Sequence, residues 1–133
     1  MTSKITYLGN LRTSSIHLQS GVTVLSDAPL DNHGQGKAFS PTDLVCNALG
    51  SCMMTIMAIK SKDLNLNLDN TTIDVTKHMQ DAPRKIAKID ISINVNVPTT
   101  DKDRIILEKT AMNCPVLLSL NADIDKNIKF NWL

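Results

Sequence analysis

Apolar and polar residues alternate along much of this chain, and the places where alternation stops divide it into elements. The plainest signal is at residues 89–97, where Ile89, Ile91, Ile93, Val95 and Val97 interleave with Asp90, Ser92, Asn94 and Asn96. A period of two with β-branched residues on one side predicts a strand with one buried face, and Pro98 ends it. Shorter alternations at Ile5 and Tyr7, Ile16 and Leu18, and Val22 and Val24 are separated by turn signals at Gly9-Asn10 and Ser20-Gly21, which predicts an antiparallel meander. Ile73-Asp74-Val75-Thr76 opens a further strand, and Ile128, Phe130 and Trp132 mark the last one. Residues 27–37, rich in Gly, Pro, Asn and Asp, form a surface loop.

Alternation fails between residues 44 and 59, a stretch without a single formal charge. Ser40-Pro41-Thr42-Asp43 precedes it: a serine able to cap, a proline whose fixed φ suits the first helical position, and an acid at the third position for the helix dipole. A helix therefore begins at Pro41 and closes near Ser61-Lys62-Asp63. Leu44, Val45, Ala48, Leu49, Met53, Ile56, Met57 and Ile59 leave it little solvated face. A single small subunit covers such a helix poorly, so the pattern predicts a second copy and a homodimer. A second helix is expected from Asp101 to about Met112, capped by Thr100, and another helical turn from Pro115 to about Leu120.

At 133 residues with 42% hydrophobic content, the chain is one domain's worth and fills a core without disulfide or metal staples. We read residues 1–133 as a single domain. A net charge of +1 offers no field to gather phosphates or anionic lipid, and Tyr7, Phe39, Phe130 and Trp132 are too few rings for a base-stacking platform. Nucleic acid and membrane are thus not expected as partners. The N-terminus lacks the apolar run of a signal peptide, and the most hydrophobic stretch reads as too short and polar-spotted to span a bilayer. Cys46, Cys52 and Cys114 make neither a disulfide framework nor a Cys-x-x-Cys pair. A reducing, cytoplasmic compartment is expected.

The cysteines are the main chemical candidates. Cys52 follows Ala48, Gly50 and Ser51, small residues that let another backbone approach, although a cysteine on an apolar helix is often only a small inert hydrophobe. Cys46 fits that description better: six positions from Cys52, it points about 120° away around the helix. Cys114 stands between a helical stretch and Pro115, where a side chain is held at a boundary yet reaches a neighbouring element. No pair among His17, His33, His78, the cysteines and the acids has metal-ligand spacing, so neither a metal nor a cofactor is expected.

The run Phe39-Ser40-Pro41-Thr42-Asp43-Leu44-Val45, continuing to Ala48-Leu49-Gly50-Ser51-Cys52, and the later Asn113-Cys114-Pro115-Val116 resemble the OsmC/Ohr family. So does the order of elements, from an N-terminal Tyr-x-Gly strand with Arg12 to the Cys-Pro step. The resemblance implies an α+β fold: an intertwined homodimer with antiparallel sheets wrapping two long central helices, and sites at the subunit interface. It implies thiol-dependent reduction of organic hydroperoxides, with Cys52 attacking, Cys114 resolving through a disulfide, Arg12 beside the reactive sulfur, and a lipoyl-type dithiol as reductant. One position departs from the family pattern. A glutamate that pairs with the arginine in the peroxidases stands ten positions before the reactive cysteine, and here that position is Thr42. Asp43 projects about 180° from Cys52 and serves the helix terminus instead.

The chemistry needs each part. A thiolate attacks one peroxide oxygen and becomes a sulfenic acid. A free thiol is only about 3% ionised at pH 7, and the helix dipole fades long before Cys52, so a cation such as Arg12 must be brought in. The alternative is a binding protein of the same fold that uses an interfacial pocket for a small apolar ligand, suggested by Thr42 and by Met53, Met54 and Met57. A redox regulator is a third reading, but it has no DNA-reading helix or basic face to work through.

Overall fold

The computed structural model describes residues 1–133 and contains six strands and three helices: β1 (Ser3–Gly9), β2 (Arg12–His17), β3 (Thr23–Asp27), α1 (Pro41–Asp63), β4 (Thr72–Gln80), β5 (Lys85–Val95), α2 (Asp101–Ala111), α3 (Pro115–Ser119) and β6 (Asp125–Trp132). The chain is mixed α+β, with two three-stranded sheets ordered β1-β2-β3 and β4-β5-β6. It divides into two compact units, Met1–Val45 and Cys46–Leu133.

In the first unit the expected meander forms, β1 with β2 and β2 with β3, both antiparallel. The β1–β2 turn is built from three consecutive left-handed residues, Gly9 (φ 83), Asn10 (φ 54) and Leu11 (φ 63). Asparagine and glycine accept that conformation easily, whereas a branched leucine at positive φ is a strained choice. The Tyr7 hydroxyl accepts the Leu11 backbone N–H at 3.2 Å, and the Leu11 carbonyl accepts the Ala28 N–H at 3.1 Å. Residues 27–37 form an ordered loop around a 3₁₀ turn, Leu30–Asn32, closed by Gly36 N–H to the Ala28 carbonyl at 3.2 Å. Gly34 permits that closure, since a Cβ there would lie 1.7 Å from the Ala28 carbonyl oxygen. Apolar side chains of the meander stay largely uncovered in one chain, among them Ile5 and Tyr7 at 65% and Val22 at 62%.

Helix α1 starts as its sequence dictates. The Asp43 backbone N–H donates to Ser40 Oγ at 3.1 Å, and the Ser40 N–H donates to Asp43 Oδ2 at 2.9 Å, a reciprocal cap. The second unit is organised on the rest of this helix. Cys46, Leu49, Met53 and Met57 recur at helical spacing and are fully buried in one core with Ile89, Ile91, Ile93, Val95, Leu107, Ala111 and Cys114. Gly50 permits a close approach to β4: a Cβ there would meet Val75 Cγ2 at 3.1 Å and Ile73 Cγ2 at 3.3 Å. The small-residue step before Cys52 is thus met by this chain's own sheet.

The polar spots in α1 do not keep it below bilayer length: its 23 residues make it long and apolar enough, by length and composition, to cross a membrane. Its buried row shows that it serves as a core helix. The opposite row, Val45, Ala48, Thr55 and Ile59, is exposed, so one chain leaves the uncovered face that the charge-free stretch predicts.

Strand β5 buries its isoleucine face and turns Asp90, Ser92 and Asn94 to the other side. There Asn127 donates to Asp90 Oδ1 at 3.0 Å, and Asn131 to Ser92 Oγ and Asn94 Oδ1 at 2.8 Å. β4 and β5 are antiparallel, but β6 runs parallel to β5. The second sheet is therefore mixed, a refinement of the antiparallel expectation: the β5-to-β6 connection crosses through α2 and α3 and brings the chain back in its original direction. Helix α2 has the expected Thr100 cap, reciprocated by Asp103, and Glu108 on α2 accepts the Trp132 indole N–H at 2.9 Å, fixing the end of β6.

Because Leu49 is fully enclosed in this core, Leu49→Ala should lower unfolding free energy by about 3 kcal/mol. Urea denaturation measures this, and a loss below about 1 kcal/mol would contradict the packing described.

Candidate active site

Two of the expected residues meet in the second unit. Cys52 lies twelve residues into α1, in line with the exposed row Val45, Ala48, Thr55 and Ile59 but itself partly buried. Cys114 is fully buried and caps α3. Its backbone N–H donates to the Ala111 carbonyl at 3.1 Å, its carbonyl accepts the Leu118 N–H at 3.1 Å, and its Sγ accepts the Leu117 N–H at 3.4 Å. Pro115 at the first helical position gives up no needed donor. The Cys-Pro step thus fixes the Cys114 backbone by two bonds and its sulfur by one, at the junction of α2 and α3, with the Cys52 side chain as its neighbour.

Burial pushes the Cys114 thiol above its ordinary range; the Leu117 and Val116 N–H groups pull it down, and contact with Cys52 raises it further. The two sulfurs differ in burial, Cys114 enclosed and Cys52 partly exposed. Cys114 keeps its proton at neutral pH and can donate an S–H to Cys52, whereas a second anion against a Cys52 thiolate is disfavoured. All three cysteines are free thiols. Cys46, as its helical position implies, is enclosed in the core on another side of α1.

Arg12, the third expected residue, belongs to the first unit. It opens β2 directly after the strained turn, one-third exposed, with Nε 3.9 Å from Asp27 Oδ2. Asp27 was not singled out in the sequence, where it reads only as the first residue of a polar loop. It is completely buried and accepts the Lys37 backbone N–H at 2.9 Å. The signal that could have found it is register, since Arg12 and Asp27 are direct partners across β2 and β3. Thr42 lies beside the helix cap, its hydroxyl 3.2 Å from Ser40 Oγ.

The histidines take local partners. His78 Nε2 is 2.6 Å from Asp90 Oδ2 on the polar face of the second sheet, and His17 Nδ1 is 2.6 Å from Ser20 Oγ. The methionines do not line a common pocket. Met53 and Met57 are sealed in the core, and only Met54 borders the small cavity of about 190 Å³ between α1 and β4.

Comparison with known proteins agrees with this architecture. The model of the family described as OsmC-like protein matches residues 34–129. The chain belongs to the OsmC-like family. A solved protein from Psychrobacter arcticus 273-4, described as an osmotic stress induced and detoxification response protein, is 46% identical, with 98% of this chain and 96% of that one covered and a TM-score of 0.95. The OsmC-like protein of Mycoplasma pneumoniae shares the fold at 12% identity, with coverage of 98% and 95% and a TM-score of 0.81. The organic hydroperoxide resistance protein OsmC of Legionella pneumophila shares it at 12% identity, with coverage of 98% and 97% and a TM-score of 0.76. No curated protein matches the chain.

A raised thiol in the folded state binds its proton more tightly than the unfolded chain does. Its stabilisation is full below the ordinary thiol range and is lost as pH rises through the raised value. Urea midpoints followed from neutral to alkaline pH should fall less steeply in Cys114→Ser than in the unsubstituted chain. Parallel curves would contradict the burial effect.

Proposed function

We propose that the chain acts as one OsmC-like domain over residues 1–133 and is a thiol-dependent peroxidase for organic hydroperoxides. The observation that carries this reading is the pairing of the half-exposed Cys52 sulfur with a buried, protonated Cys114 sulfur fixed at a helix start. The Cys52 thiolate attacks the terminal peroxide oxygen, the O–O bond breaks, and the alkoxide leaves and takes a proton to become the alcohol. Cys52 is left as a sulfenic acid. The Cys114 sulfur then attacks it, forming an S–S bond and releasing water. A dithiol of the lipoyl type reduces the disulfide by two exchanges and leaves as its own cyclic disulfide. Arg12 is the cation that favours the Cys52 thiolate. Proteins of the same fold described as organic hydroperoxide resistance proteins, from Legionella pneumophila and Elizabethkingia anophelis, support the same direction.

The working form in this reading is a homodimer in the cytoplasm, in which a second copy covers Val45, Ala48, Thr55 and Ile59 and so encloses the edge on which Cys52 stands. The binding-protein alternative draws less support: two of its three methionines face the core, so the three do not line one pocket.

One equivalent of cumene hydroperoxide should remove two hydrogens from the intact mass and leave only Cys46 to be alkylated once the protein is unfolded. Cys52→Ser should lose turnover entirely. Cys114→Ser should give one sulfenic acid, trapped by dimedone, and no sustained cycle with dihydrolipoamide. Undiminished turnover in Cys52→Ser would end the peroxidase reading. Separately, Ala48→Glu puts a charge in the middle of the uncovered α1 row, and in sedimentation it should shift the protein from dimer to monomer.

A further inference from the structure

We propose that Asp27 is a positioning residue for Arg12, supplying from strand β3 the carboxylate that Thr42 does not supply from the helix. The inference rests on the reading of Arg12 as the cation that favours the Cys52 thiolate, and adds the group that aims it.

The β2–β3 register sets Arg12 directly opposite Asp27, and directly opposed side chains on adjacent strands interact most strongly. The main chain of Arg12 is fixed from one side by the left-handed run Gly9, Asn10 and Leu11 and by the bond from the Ala28 N–H to the Leu11 carbonyl. Its side chain meets Asp27 through Nε, 3.9 Å from Oδ2. A guanidinium carries further N–H donors on its two terminal nitrogens, so it can answer to Asp27 through Nε while presenting those donors to an anion.

Asp27 itself is built to stay in place. Its carboxylate is wholly removed from solvent, Oδ2 accepts the Lys37 N–H at 2.9 Å, and the Asp27 N–H donates to the Phe39 carbonyl at 3.1 Å. That loop bond needs only a carbonyl-type oxygen, which an asparagine would provide equally well. The negative charge is not required by it, and a buried charge without a counter-charge is unfavourable. Asp27 Oδ1 and Arg12 Nε have no protein hydrogen-bond partner, so the charge is answered by the arginine across the strands, as an ion pair rather than a closed hydrogen-bonded clamp.

The sign of the effect separates positioning from simple charge. Removing a carboxylate that acted only as a nearby negative charge would favour the Cys52 thiolate and speed its alkylation. Removing one that aims the arginine would disfavour the thiolate and slow it. The test is the pH-dependence of iodoacetamide alkylation at Cys52, followed by peptide mass in the full chain, for the unsubstituted protein, Arg12→Ala, Asp27→Asn and the double variant. The expected result is a fall in rate near pH 6 of about threefold in Asp27→Asn and more in Arg12→Ala, with the double variant no slower than Arg12→Ala alone. Lys37→Pro, which removes the N–H held by Oδ2 and leaves Arg12 and Asp27 in place, should slow alkylation by less than Asp27→Asn when compared with Lys37→Ala, which removes the lysine charge alone, and carries the test if Asp27→Asn does not fold. An unchanged or faster rate in Asp27→Asn, or equal slowing with and without Arg12, overturns the inference while leaving Arg12 in place. In Lys37→Pro, a rate unchanged from that of Lys37→Ala does the same. No effect of Arg12→Ala overturns both this inference and the assignment of Arg12.

Discussion

The packing of α1 against the second sheet is the constraint on which the rest depends. Cys46, Leu49, Met53 and Met57 face the isoleucine side of β5, and Gly50 lets the helix come within contact of Val75 and Ile73. That contact fixes the rotation of the helix about its own axis. Once the rotation is set, Cys52 cannot be central to the core: it falls in the outer row of the helix, partly buried, beside Cys114. A side chain larger than glycine at position 50 would press on two β-branched neighbours, and any turn of the helix that relieved the pressure would carry the sulfur away from its partner.

Much of this was legible from residue types alone, because the signals were local. Ser40, Pro41 and Asp43 specify a helix start through backbone groups within four residues, and the structure forms that cap. The β-branched alternation of β5 is likewise local, and its buried face is the one the pattern names. The two cysteine contexts were legible through their neighbours, small residues before Cys52 and Pro115 after Cys114. Less legible were features set by long-range pairing. The parallel placement of β6 depends on where two intervening helices return the chain, which no alternation in β6 itself encodes. Asp27 looked like a turn former because its burial and its arginine come from register across two strands. Leu11 gave no sign of its left-handed backbone, since leucine ordinarily avoids it.

The uncovered surfaces follow from the same distribution of residues. A charge-free helix has two apolar sides to hide, and the sheet β4-β5-β6 covers one of them. The meander β1-β2-β3 exposes apolar side chains as well, and apolar area left in water forgoes the stabilisation that its burial would bring. Both surfaces ask for cover of the kind that a second copy gives, and in the proposed dimer the cover also encloses Cys52.

The inequality of the two sulfurs gives the proposed chemistry its order. A resolving thiol that ionised as readily as the attacking one would compete for peroxide and would repel the thiolate beside it. Burial prevents this at Cys114 by holding its proton, and the Leu117 N–H keeps the sulfur aimed without overcoming that burial. In the proposed cycle the proton is easier to give up once Cys52 is oxidised, because a neutral sulfenic acid then replaces the neighbouring anion and removes the part of the upward push that Cys52 adds to burial. Resolution in that cycle is thereby made easier by the attack that precedes it, and a helix start with one proline and one buried sulfur holds the resolving thiol in place.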